Sequence, residues 1–310
     1  MIGISMRHLR YFSVLAEQRH FGRAAEICAI SQPAMSLQIK ELEAILGAAL
    51  VERGGRRIGL TPLGEAFALR ARDILHRVDD LGALVRASHG SLSGKLRLGV
   101  IPTVAPYLLP AVMNRLAAGL PQLDLRPREA VTPKLVEDLL DGRLDAAIVA
   151  LPVSEPGLTE YPLFDEEFML VRPAADAQKP VPDAEHLREM RLLLLEEGHC
   201  FRDQAIAFCK MSSDPARDLM EGSSLSTLVQ MVGTGLGVTL IPRMAVRIET
   251  CSAAVSVARL AEPRPTRTIG MIWRKSNPLA NHLIAMAGLV REAALTAPGR
   301  AGPCQAIGPA

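Results

Sequence analysis

The chain has 310 residues, 49% hydrophobic and 22% charged, with a net charge of +2. That length allows two or three domains with a substantial core, the balance is that of a globular protein, and whole-chain charge selects no partner. No run of 18 apolar residues spans a membrane, and the start, Met1 to Leu9, has no apolar signal core. Five cysteines, an odd number, argue against a disulfide framework. No Cys/His group has zinc spacing and no Gly-rich phosphate loop is present, so no metal or cofactor is expected. A cytoplasmic, reducing compartment follows.

Charge is uneven. Residues 1–64 hold eight Arg/Lys against five Asp/Glu, an excess of three positive charges, the sign that nucleic acid attracts. The pattern there is helical. Leu9, Phe12, Val14, Leu15 and Phe21 mark an opening helix, and Arg23 to Ile27 a short second one. Ser31 then fits an N-cap and Pro33 a first turn. The third helix places Met35, Ile39, Leu42 and Leu46 on one face and Gln32, Ser36, Lys40 and Glu43 on the other, and Gly47 ends it. Two short strands around Gly54-Gly55 follow, with Arg53, Arg56 and Arg57 at the tip. A short helix, a tight turn and a second helix with a polar outer face make a helix-turn-helix whose second helix enters the major groove. Gln32 and Ser36 suit base edges, Lys40 suits phosphate, and the tip arginines suit the flanking backbone.

Residues 63–88 read as one long helix. Phe67, Ala71, Ile74, Val78, Leu81 and Val85 repeat at four and three spacing, a coiled-coil seam. Such a stripe must be buried, either against the same helix of another subunit or on its own chain. Residues 88–94 read as a hinge. Strand-like runs then fall at 95–101, 123–130, 144–151, 167–172, 191–197, 236–241 and 268–274. Helix-like runs fall at 106–119, 132–142, 201–211, 224–234 and 278–296. That is an α/β alternation. The Ala/Gly/Pro-rich tail, 298–310, reads as disordered.

Two cysteines, Cys200 and Cys209, lie nine residues apart. Cys200 sits where a strand-like run ends at Gly198 and a helix begins, flanked by His199 and Arg202. Cations and a helix N-terminus favour a thiolate, while Glu196 and Glu197 oppose it. In one continuous helix the two cysteines would face opposite sides, roughly 13 Å apart along the axis, beyond the ~7 Å Cα separation of a disulfide. The pair is therefore either a switch that refolds on oxidation or two inert core thiols. Cys28, Cys251 and Cys304 have no comparable neighbours.

The runs Met6-Arg7-His8-Leu9-Arg10-Tyr11-Phe12, Phe21 to Glu26, Ser31 to Glu43 (including Gln38), Leu50 to Arg53 and Leu60 to Gly64 resemble the LysR-type transcriptional regulators. The resemblance covers nearly the whole chain. It implies an α+β multidomain protein with a winged helix-turn-helix domain (1–62), a long linker and dimerisation helix with its hinge (63–93), and an effector domain (94–297). That effector domain would be an α/β structure of two subdomains, 94–164 with 268–297 and 165–267, like the periplasmic binding proteins. Leu37 stands where many members carry Arg. It further implies homodimers or homotetramers on promoter DNA, contact with RNA polymerase, and no enzymatic role.

Ile101 to Pro110, Pro162 to Glu166, Leu195 to Gln204 and Thr266 to Gly270 resemble, more narrowly, the hydrogen-peroxide-sensing members of that family. By that resemblance Cys200 is the peroxide-reactive thiol and Cys209 the resolving thiol. Thr103, Thr132, His199 and Asp203 place the oxidant, Arg267 lies near the sulfur, and a thiol-reducing system resets the pair. Two other readings stay open. One is a metabolite sensor with incidental cysteines, for which Gly222 to Thr227 could serve an anion; the other is a thiol peroxidase.

Overall fold

The computed structural model describes residues 3–52, 58–87, 92–209 and 220–296, in two compact units, Met1–Val85 and Arg86–Ala310. Among the described residues no helix is long and apolar enough to cross a membrane.

In the first unit, α1 (Met6–Gln18) opens with a reciprocal box: the Ser5 hydroxyl accepts from the His8 N–H, and the His8 ring accepts from the Ser5 N–H. Arg19 ends it in the left-handed region, φ 49°. Phe21 therefore does not belong to the opening helix. It starts α2 (Phe21–Ile27), which His20 caps by accepting from the Arg23 N–H. The next helix, α3 (Gln32–Leu46), begins as its sequence demands: Ser31 accepts from the Ala34 N–H, Pro33 occupies the first turn, and Gly47 closes the C-terminus at φ +67°. A two-stranded antiparallel wing follows, β1 (Val51–Glu52) and β2 (Gly59–Leu60). Its expected arginine tip, Arg53, Arg56 and Arg57, lies outside the described residues.

Phe12, Leu15, Met35, Ile39, Leu42 and Leu50 form the core of this unit. Glu43 departs from expectation. It is buried, and its carboxylate accepts the Leu50 and Val51 N–H groups at 2.8 and 3.1 Å, tying α3 to the wing. The long helix α4 (Pro62–Ala87) divides its stripe. Phe67 packs edge-on against Phe12, and Ala68 and Ala71 are buried, whereas Ile74, Val78 and Leu81 are 44%, 44% and 61% exposed.

The second unit is built on one seven-stranded sheet of order β10-β6-β11-β5-β3-β4, with β9 also on β6. Its elements run β3 (Gly94–Val100), α5 (Ala105–Gly119), β4 (Leu123–Glu129), α6 (Thr132–Leu140), β5 (Ala146–Leu151), β6 (Leu158–Pro173) and α7 (Ala184–Glu189). There follow β7 (Leu194–Leu195), α8 (Cys200–Phe208), β8 (Glu221–Gly222), α9 (Leu225–Gly233), β9 (Thr239–Pro242), α10 (Val246–Glu249), β10 (Val255–Arg259), β11 (Thr266–Arg274) and α11 (Ala280–Thr296).

Strand β6 is far longer than the run expected at 167–172. It pairs with β11 over 158–167 and with β9 and β10 over 168–173, so one strand serves both halves of the sheet. The strand expected over 191–197 shortens to Leu194–Leu195, paired in parallel with the unforeseen β8. The tail expected to be disordered, 298–310, and residues 88–91 of the hinge lie outside the described residues.

Candidate functional site

Strands β3, β4 and β5 are parallel, and the carboxyl ends of parallel strands are where α/β folds collect ligands. Thr103 lies in the turn between β3 and α5, and Thr132 opens α6 after β4. Thr103 is buried, 3% exposed. The Thr132 hydroxyl is buried and has no hydrogen-bond partner.

The segment carrying Cys200 comes down beside them. Gly198 has φ +91°, and a Cβ there would lie 3.8 Å from Val131, the residue before Thr132. His199 caps α8 through its backbone and feels the charges of Glu129 at the end of β4 and Glu196. Burial lowers its pKa, and those two carboxylates only partly offset this, so the imidazole is held toward its neutral form. Half-buried Cys200 is the first residue of α8, where the helix leaves backbone N–H groups free of intrahelical partners.

Cys209 caps the other end of α8 and is 1% exposed. Burial pushes its thiol up to about 11 from an ordinary 9.0. Both cysteines are free thiols. A nine-residue rise of about 1.5 Å each keeps their Cα atoms roughly 13 Å apart along the axis.

Arg267, on β11, holds the centre. Its Nη1 donates to the Thr103 hydroxyl at 2.8 Å and its Nη2 to the Thr103 carbonyl at 3.1 Å. Its Nε and Nη2 donate to Glu166 Oε2 at 3.0 and 2.8 Å. The Phe201 ring, next in sequence to Cys200, lies 5.2 Å from the guanidinium and 4.6 Å from the Phe168 ring.

The structure thus joins Thr103 to Arg267, and brings the Gly198 loop to the start of α6. It does not gather every expected residue. Arg202 was expected to bias the thiol. Instead its Nη1 donates to the Leu195 carbonyl at 2.9 Å and to Glu221 at 2.6 Å, pinning α8 to β7 and β8. Asp203 is exposed on the first turn of α8. Sequence reasoning missed Glu166, Phe201 and Gln204, whose buried Oε1 has no hydrogen-bond partner. The Ser-rich segment read as an anion site is occupied by local bonding: Ser224 caps α9 by accepting from the Thr227 N–H, and Ser226 donates to Glu249. Among the described residues no group of His, Cys, Asp and Glu is placed to hold a metal ion.

On the DNA-binding unit, Ser31, Gln32, Pro33 and Lys40 are exposed, Ser36 is half-buried, and Gln38 donates to Glu41 at 2.8 Å. Leu37 is 64% exposed.

A helix-turn-helix unit joined to an α/β sensing unit defines a DNA-binding transcriptional regulator. The description "Bacterial regulatory helix-turn-helix protein, lysR family" matches residues 6–65, and "LysR substrate binding domain" matches 89–295. The chain belongs to the LysR family. A probable hydrogen peroxide-inducible genes activator of Streptomyces viridosporus is 42% identical over 301 residues, 96% of each chain. The DNA-binding transcriptional dual regulator OxyR of Escherichia coli K12 is 39% identical over 292 residues, 93% of this chain and 95% of that one. A solved full-length OxyR cysteine-to-aspartate variant from Pseudomonas aeruginosa matches with TM-score 0.74 and 37% identity, over 93% of this chain and 95% of that one. A peroxide-bound OxyR cysteine-to-serine variant from Corynebacterium glutamicum matches with TM-score 0.65 and 34% identity, over 94% of this chain and 93% of that one.

Proposed function

We infer that this regulator senses hydrogen peroxide through Cys200 and Cys209 and controls antioxidant genes from promoter DNA. One observation carries the reading: the loop that delivers Cys200 runs against Val131, the neighbour of Thr132, whose buried hydroxyl has no hydrogen-bond partner, and a second thiol closes the same helix. The similarity to a hydrogen peroxide-inducible genes activator and to OxyR supports it.

The Cys200 thiolate attacks one peroxide oxygen. The S–O bond forms as the O–O bond breaks, and the other oxygen leaves as hydroxide, which takes a proton to become water. Sulfur is oxidised to the sulfenic acid. Thr103 and Thr132 hold the small polar oxidant in line, and His199 and Asp203 pass the proton. The Cys209 sulfur then attacks the sulfenic sulfur, losing its proton and releasing water. Because α8 holds the thiols apart, its turns must open for that bond to form. The rearranged segment shifts the effector-domain contacts and so the DNA-binding units. A cytoplasmic dithiol system reverses it. The chain acts as a homodimer or homotetramer and meets RNA polymerase at the promoter.

Non-reducing peptide mapping before and after one equivalent of peroxide tests this. A Cys200–Cys209 peptide pair is expected, and Cys200→Ser is expected to abolish peroxide-dependent transcription. A full response in Cys200→Ser refutes the assignment. Peroxide turnover in large excess over protein favours a peroxidase instead.

A further inference from the structure

We propose that Glu166 is a positioning residue for the oxidation of Cys200, acting through Arg267 to fix the Thr103 hydroxyl as a hydrogen-bond donor to the oxidant. The inference rests on the reading above that peroxide is held at Thr103.

A threonine hydroxyl has one proton and two lone pairs, whereas a guanidinium only donates. Arg267 Nη1, 2.8 Å from Thr103 Oγ1, therefore uses an acceptor lone pair of that oxygen. The hydroxyl proton must point elsewhere. The second contact, from Nη2 to the Thr103 carbonyl at 3.1 Å, grips the same residue by its backbone. A hydroxyl left to rotate could accept from peroxide as readily as donate to it. Held this way, it donates.

That orientation matters at one moment. As the S–O bond forms and the O–O bond breaks, the bonding pair moves to the departing oxygen. A donor already aimed there stabilises the charge as it develops.

Arg267 can do this only if it is itself fixed, and Glu166 fixes it. The two are cross-strand partners on β11 and β6. Their side chains are 0% and 4% exposed. Glu166 Oε2 accepts both Nε and Nη2 of Arg267, and its Oε1 accepts the Met244 N–H at 2.8 Å. All three of these groups are donors. An amide in its place would offer one oxygen and one NH₂, so in either orientation a donor would face a donor. Glu166→Gln therefore weakens the hold on the guanidinium with almost no change in side-chain size, either by turning the NH₂ toward it or by leaving it an uncharged oxygen while the NH₂ faces the Met244 N–H.

The test compares two reagents on the reduced full-length protein. Peroxide uses the Thr103 hydrogen bond, and iodoacetamide reads only the exposure and ionisation of the thiol. Glu166→Gln is expected to slow stopped-flow oxidation of Cys200 by about tenfold, a modest share of the loss typical for a removed donor. The alkylation rate is expected to stay unchanged. Thr103→Val in the same assay reports on the underlying reading. A peroxide rate equal to wild type in Glu166→Gln overturns the proposal, and so does a parallel fall in both rates, which would mean that Glu166 acts on the thiol or on the fold at large. If Thr103→Val oxidises normally, peroxide is not held there and both readings fall. Should Glu166→Gln not fold, Arg267→Lys keeps the charge but cannot hold Glu166 and both Thr103 atoms. It must show the same selective loss, and an unchanged peroxide rate in it overturns the proposal.

Discussion

Two thiols nine residues apart sit in opposite environments: Cys200 at a half-buried helix start, Cys209 sealed at the helix end. Burial raises the Cys209 thiol from 9.0 to about 11. Its folded value lies above its unfolded one, so the stabilisation is complete below pH 9 and is lost as pH climbs from 9 to 11. The loss attributable to this group is at most about 2.7 kcal/mol. Urea unfolding of the reduced protein at pH 8.5 and at pH 11 is expected to show a steeper alkaline loss in wild type than in Cys209→Ala; equal losses would mean the thiol is not shielded. Thr103→Val is expected to slow peroxide oxidation of Cys200 at least about tenfold. The same change leaves Arg267 Nη1 without its acceptor, so it also costs about 1–3 kcal/mol of stability. Thr103→Ser keeps the hydroxyl and is expected to restore both; a slow Thr103→Ser variant would point to packing of the methyl group. The place of Cys200 at a helix start was legible, because the apolar run before it ends at Gly198 and a helical pattern follows. Glu166 was legible in principle, since strand alternation from Phe168 and Leu170 puts it on a buried face of β6, in phase with Arg267 beside Ile269 on β11. Neither charge announces its partner, because their separation of 101 residues is closed only by sheet pairing.

At the scale of elements, α8 is the part that the proposed disulfide requires to change. Its backbone ladder over Cys200–Phe208 holds the sulfurs apart, and Arg202 fastens it to β7 and β8. Oxidation is expected to speed amide exchange across 200–208 by mass spectrometry, with little change in β3 or β5; unaltered protection in 200–208 would mean the disulfide forms without unwinding the helix. The reading helix is the other functional element. Gln32→Ala is expected to weaken binding to a specific promoter site more than to random DNA, while Lys40→Ala weakens both and lowers the salt slope by about 1. Equal losses on the two DNAs would remove Gln32 from base readout. Caps made the helices of the first unit legible: Ser31, Pro33 and Gly47 do what their chemistry predicts. The longest strand was not legible from end to end. Pro162 and three successive acids at 165–167 break the apolar run of β6, and only pairing with β11 keeps them in a strand. Glu43 was misplaced for a related reason: a carboxylate on a helix reads as solvated until the wing's two N–H groups are there to receive it.

For the whole molecule the decisive feature is the divided stripe of α4. The heptad pattern offered two burials, and the structure uses one of them for the first turns only. Ala68 is sealed in the core of its own unit and Ala71 is buried, whereas Ile74, Val78 and Leu81 remain exposed about one, two and three turns further on. On the proposed homodimer, an apolar row of that length on a surface helix is the coiled-coil seam for the second copy. The two parts of one stripe should therefore fail differently. Leu81→Asp places a charge in the seam, and is expected to shift sedimentation equilibrium from dimer toward monomer and to weaken promoter binding, since each monomer then reads a single half-site. Its thermal midpoint is expected to hold at protein concentrations where wild type is already monomeric. Ala71→Asp buries an unpaired carboxylate instead and is expected to lower that midpoint outright. Oxidation of Cys200 belongs to the other compact unit, so its rate is expected to be the same in Leu81→Asp as in wild type. A Leu81→Asp protein that remains dimeric would move the subunit contact to the effector unit and leave the exposed half of the α4 stripe without a role in assembly.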